Sequence, residues 1–107
     1  MKIHRLDEMM GGWFVGNFEP TAFKTDKFEV GYHFYEKGQE WPTHYHKKTT
    51  EINYIIRGEM IIKGELLKQG DVFIIEPNEV VDPEYLTDCE LIISRDGSFP
   101  DDKYTID

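Results

Sequence analysis

The sequence predicts an all-β domain, a small barrel or jelly roll, on three observations. Its apolar residues come in short clusters, broken by Gly, Pro, Asn or Asp about every eight to twelve residues. Those clusters are rich in β-branched and aromatic side chains, which fit a pleated, half-buried surface. Helical periodicity is scarce. A chain of many short strands leaves unpaired edges, and closing the sheet or facing two sheets in a jelly roll removes or protects them.

In chain order, Ile3 to Met10 carries Leu6, Met9 and Met10 at spacings of three and four, enough for about one or two helical turns held by packing. Phe28 to Tyr35, Ile52 to Ile56, Met60 to Ile62, Val72 to Ile75 and Glu90 to Ser94 read as strands, each bounded by turn chemistry. Lys63-Gly64 suits a tight hairpin with its glycine at positive φ, and Pro77-Asn78 offers a second reversal. The tail from Asp96 to Asp107 is polar, with turn signals at Asp96-Gly97 and Pro100, and is expected to wrap the surface.

A length of 107 residues makes one domain of residues 1–107. With 39% hydrophobic residues, including seven Phe, six Tyr and two Trp, the chain has material for a core. Twelve Lys and Arg against 21 Asp and Glu give a formal charge of −9, which repels phosphate backbones and anionic bilayers, so neither nucleic acid nor membrane is an expected partner. The single cysteine, Cys89, cannot form an internal disulfide, and Met1 to Met10 holds no apolar run of signal-peptide type; a cytoplasmic protein is expected.

One constellation carries chemistry. His44 and His46 stand two residues apart, and on an extended strand such residues share a face with Cα atoms ~6.6 Å apart. Two imidazoles can then converge on one ion at ~2.1 Å each. Glu51 follows a polar connection, Lys47-Lys48-Thr49-Thr50, and opens the next strand, so its carboxylate can face the same point. Two imidazoles and a carboxylate form a facial set for a divalent metal such as Fe, Mn, Zn or Ni. A solvated surface triplet is the plain alternative. Imidazoles ligate only when neutral, so metal affinity is expected to fall as the pH drops through ~6.5.

The flanking glycines extend the pattern to Gly38-x5-His44-x-His46-x4-Glu51-x6-Gly58, which resembles the first signature motif of the cupin superfamily at every fixed position, over residues 38–58. Residues 70–82, opening Gly70-Asp71-Val72-Phe73-Ile74-Ile75-Glu76-Pro77-Asn78, resemble a degenerate second motif, with Glu76 for its proline and Asn78 for its glycine. The resemblance implies a small cupin-type jelly-roll β-barrel with a mononuclear metal in its mouth. It also implies a third histidine ligand at position 81, where this chain has Val81. The implied protein ligands are therefore His44, His46 and Glu51. Asp82 is a possible additional ligand, although strict alternation turns it away from the face of Val81.

If Glu51 faces inward, alternation brings Asn53, Ile55 and Arg57 with it and turns Ile52, Tyr54 and Ile56 outward. On the preceding strand either His33 and Tyr35 or Tyr32 and Phe34 look into the barrel. Asn53 and Tyr35 are then the expected ligand contacts, and His33 a candidate fourth metal ligand, each set against a purely structural role. His4 and the Asp101-Asp102 pair read as solvated. Cys89, between Asp88 and Glu90, is a poor nucleophile because neighbouring negative charge raises its pKa. Trp13, Phe14, Phe18 and Trp41 are expected to pack or to form a subunit contact. The resemblance implies a homodimer, with Trp13-Phe14-Val15 as a contributing segment.

Two functions follow, with a third behind them. The first is an enzyme using a divalent metal on a small polar molecule. The second is a non-catalytic module holding a small ligand without a functional metal. A metal-independent sugar-nucleotide isomerase of related fold ranks last, because no His-Asp or Tyr acid/base arrangement can be assembled.

Overall fold

A computed structural model of the chain describes residues 1–105. Among them, eleven strands form three sheets. The largest runs in the order β2 (Phe23–Lys24), β1 (Trp13–Gly16), β3 (Glu29–Tyr35), β10 (Cys89–Arg95), β5 (Glu51–Arg57), β8 (Val72–Ile75). A second has the order β7 (Glu65–Lys68), β6 (Glu59–Ile62), β9 (Glu84–Tyr85), and a third pairs β11 (Tyr104–Thr105) with β4 (His44–Tyr45). All pairings are antiparallel except β1 with β2. The domain is a nearly all-β jelly roll.

Period-two alternation builds the core. Tyr35, Ile55, Leu91 and Ile93 point inward from the large sheet and meet Met60, Ile62 and Tyr85 from the smaller one. In the hairpin joining β6 to β7, Lys63 and Gly64 both adopt positive φ, 53° and 78°, the conformation an I′ turn requires. Asn78 takes the second left-handed position, at φ 68°.

The five expected strands all form, within two residues of the expected ends. The helical segment is reduced to one 3-10 turn, Leu6–Glu8, which buries no residue and so gains no packing to extend it. Arg57 departs from the inward set. A register irregularity beside Glu90 and Leu91 shifts the end of β5, and Arg57 lies outside with its Nε 2.8 Å from Glu90 Oε2.

The tail does more than wrap the surface, and Asp102 is not solvated. Its side chain is 4% exposed and accepts hydrogen bonds from the backbone N–H groups of Lys47 and Lys48, both at 3.0 Å. Two carboxylate oxygens thus satisfy two donors of the loop between His46 and Glu51 that no strand partner reaches. Tyr104 and Thr105 then pair with Tyr45 and His44, on the strand that carries the first imidazole.

Candidate ligand-binding cavity

The barrel encloses a cavity of about 350 Å³. Strand β5 contributes Glu51 and Asn53, β3 contributes His33 and Tyr35, and β10 contributes Arg95, each by the alternation that also fills the core. His44 enters from β4 and His46 from the residue just beyond it. Aromatic rings wall the space: Tyr35 stacks on Tyr85 with centroids 4.5 Å apart and meets Trp41 edge-on at 5.6 Å. The question left open by sequence, which face of β3 looks inward, is answered by His33 and Tyr35.

The two imidazoles meet as the i, i+2 spacing requires. Their rings stand nearly perpendicular, with centroids 5.4 Å apart. His44 Nδ1–H donates to the Pro42 carbonyl at 2.8 Å, because a carbonyl can only accept, and this leaves Nε2 as the basic nitrogen. Burial, and next the charge of Arg95, push His33 and His46 down to about 4, and burial lowers His44 too. All three rings are therefore neutral at pH 7.

Glu51 reaches the cavity but is already engaged. Arg95 donates from Nε and Nη2 to its Oε2, at 2.9 and 2.8 Å, and from Nη1 to Glu29 Oε1 at 2.6 Å. Ser98 completes the set by donating to the other oxygen of Glu29 at 2.8 Å. Burial alone would lower the Arg95 pKa, but the two carboxylates hold it above its ordinary value. The guanidinium also lies 4.7 Å from the Trp13 ring centroid.

These facts bear on whether a metal fits. Val81 is buried and joined to His44 by reciprocal backbone hydrogen bonds of 3.2 and 2.9 Å, so the place of a third imidazole holds an isopropyl group. Asp82 is exposed on an outer surface depression and does not line the cavity. Among the described residues no group of three or more His, Cys, Asp or Glu side chains is placed to hold a metal ion. With Glu51 held by Arg95 and Val81 beside His44, the two imidazoles lack a free third protein ligand in this arrangement.

What the cavity does offer is unmet hydrogen-bonding capacity. His33 Nε2, His46 Nε2 and Asn53 Nδ2 are buried without partners, and all three residues line it. Arg95, Glu29, Lys103 and the walls Trp13 and Trp41 were not singled out from sequence as parts of the site. Alternation could have found the first two: Arg95 continues the inward series of Cys89, Leu91 and Ile93, and Glu29 that of Gly31, His33 and Tyr35. Lys103, whose Nζ lies 4.6 Å from the Trp41 ring centroid, comes from the tail and carries no such signal. Cys89 is buried, and desolvation is the main cause of its raised pKa.

No family model matches the chain, and no curated protein matches its sequence. Solved structures do match its fold. An uncharacterized conserved protein with a double-stranded β-helix domain from Klebsiella pneumoniae aligns with TM-score 0.68 and 20% identity, over 76% of this chain and 71% of its own. The DMSP lyase DddQ from Ruegeria pomeroyi gives TM-score 0.70 at 18% identity over 85% of this chain, which spans only 48% of the lyase. An RmlC-like cupin from Shewanella frigidimarina gives TM-score 0.63 at 22% identity, covering 72% of each. With inward-facing strands around a polar cavity and these structural likenesses, the described residues have the cupin fold.

Proposed function

We propose that the cavity binds a small polar molecule directly through protein side chains. The observation that carries this reading is the set of unpartnered buried atoms on His33, His46 and Asn53. An unmet buried donor or acceptor costs about 1–3 kcal/mol, and a ligand that pairs with it recovers that cost. Asn53 supplies an N–H donor, the imidazoles both donors and acceptors, and Tyr35 an aromatic floor with a hydroxyl. Aromatic walls with a few convergent polar groups suit a compact hydroxylated molecule.

The test is an NMR titration of isotopically labelled protein with monosaccharides and small hydroxy acids. Displacement of the Asn53 side-chain amide and the His33 and His46 ring signals supports the reading, provided Asn53→Ala weakens it. Cavity signals that no such compound moves count against it.

A second reading keeps the divalent metal, Fe, Mn, Zn or Ni, on His44, His46 and Glu51. It is favoured by the pinned Nδ1 of His44 and the unpartnered Nε2 of His46, the state of imidazoles oriented for ligation. Metal analysis of tag-free protein against a His44→Ala/His46→Ala variant separates the readings: stoichiometric metal lost in the variant adopts the second. We further infer a cytoplasmic homodimer, supported by a lone cysteine, Cys89, free of any disulfide, and by an apolar outer sheet face. Among the described residues no helix is long and apolar enough to cross a membrane.

A further inference from the structure

We infer that Arg95 is the cation that balances Glu51 in this cavity: it withholds Glu51 from metal, and removal of its charge exposes a latent divalent-metal site on His44, His46 and Glu51. The inference goes beyond the ligand-binding reading and does not depend on it.

Register places the three charges in one row. Arg95 on the central strand β10 faces Glu29 on β3 and Glu51 on β5 as direct cross-strand partners. Their side chains are 19%, 6% and 10% exposed. A buried carboxylate needs a nearby positive charge or several donors, because the barrel interior screens charge poorly. In a metal centre the ion meets that need for its carboxylate ligand. Here the guanidinium meets it, with two N–H groups on a single oxygen of Glu51 and a third on Glu29. A divalent ion entering beside Glu51 would face the fixed charge of Arg95 and would have to displace two charge-assisted hydrogen bonds.

The geometry also explains why Val81 can stand where a third imidazole would be. With Arg95 in place, no ion depends on that position, and an apolar residue packs into the core beside His44. Taking the charge from Arg95 leaves Glu29 and Glu51 as two unpaired carboxylates, whose charge a divalent ion balances. His44 Nε2 and His46 Nε2 are the available nitrogens on the same cavity wall.

The experiment is a titration with Co(II), followed by calorimetry and by the visible absorption of the bound ion. Wild-type protein is expected to show no stoichiometric binding. Glu29→Gln/Arg95→Met, which removes the guanidinium and the carboxylate it would orphan at Glu29, is expected to bind one Co(II) at least 10–100-fold more tightly. Adding His44→Ala to that variant should abolish the gain. Stoichiometric, His44-dependent binding by the wild type overturns the inference, and so does a folded Glu29→Gln/Arg95→Met protein that gains no affinity. If that variant does not fold, Arg95→Gln takes its place in the same titration: a His44-dependent gain in Co(II) affinity upholds the inference, and a folded Arg95→Gln protein that gains none overturns it. Failure of every sugar or hydroxy acid to bind would defeat only the ligand reading.

Discussion

Arg95 and Glu51 are partners twice over: their backbones pair across β10 and β5, and their side chains close a two-donor contact on one carboxylate oxygen at 2.9 and 2.8 Å. The same guanidinium reaches Glu29 on the far side, so one side chain ties three adjacent strands at the cavity wall. Breaking a buried ion network by removing one partner costs more than the network contributes, because charge is stranded. Arg95→Ala should therefore lower the unfolding free energy by about 3–5 kcal/mol. Glu29→Gln/Arg95→Met, with one stranded carboxylate fewer, should lose clearly less, as equilibrium urea unfolding would show.

His33 makes the stability depend on pH. Burial first, and Arg95 second, hold its folded pKa near 4, below the ~6.5 of an unfolded histidine, although Glu51 pulls the other way. Between those values the unfolded chain binds a proton that the folded one does not, so stability falls as the pH drops from about 6.5 to about 4. The contribution is intact above 6.5, and its limiting slope is about 1.4 kcal/mol per pH unit. Unfolding curves across this range should be flatter for His33→Asn than for the wild type.

The cavity wall was legible wherever one residue type alternates with core residues. Glu51 and Asn53 follow from the period of β5, and the imidazole pair from i, i+2 spacing. The Glu51–Arg95 contact was not legible, because it joins residues 44 apart and depends on the register of β10 against β5. Asp102 was invisible for a related reason: its partners are backbone N–H groups, which have no sequence signature. The two-residue strands β2, β4, β9 and β11 are too short for any period to declare itself.

Asp102 fastens the tail to the loop between His46 and Glu51. Asp102→Ala strands the N–H groups of Lys47 and Lys48 and should cost about 1.5–3 kcal/mol, the range for hydrogen bonds to a charged group. The loss should be local before it is global. Hydrogen exchange at Lys47 and Lys48 should speed up markedly, while amides of β10 keep their protection.

The two glycines that frame the His-x-His-x4-Glu pattern differ in what they tolerate. Gly38, at φ 74°, has open space where a Cβ would go, so Gly38→Ala meets backbone strain alone, about 1–2 kcal/mol. Gly58, at φ 107°, would set a Cβ 2.4 Å from the Asp88 carbonyl oxygen and 2.9 Å from Cys89 Cα. Backbone on both sides cannot yield cheaply. Gly58→Ala should therefore lower the thermal midpoint well below that of Gly38→Ala, as measured by circular dichroism melting.

The outer face of the large sheet supplies the last test. Ile52 pairs with Ile74, and Tyr54 with Val72, across β5 and β8, and all four side chains are between 43% and 62% exposed. Ile92 continues the row beside Tyr54 on β10. A contiguous apolar strip of this kind on a sheet face is the sort of surface a second copy covers, since the outward residues of a solvated face would be polar. The strip joins β1 only through β3, so Trp13-Phe14-Val15 would border the contact and not form its centre. Sedimentation equilibrium should give a dimer for the wild type and a monomer for Ile52→Lys/Ile74→Lys. Because both side chains point away from the core, the variant monomer should keep its cavity and its His33-dependent pH profile. A wild-type monomer at micromolar concentration would remove the dimer from the proposed function.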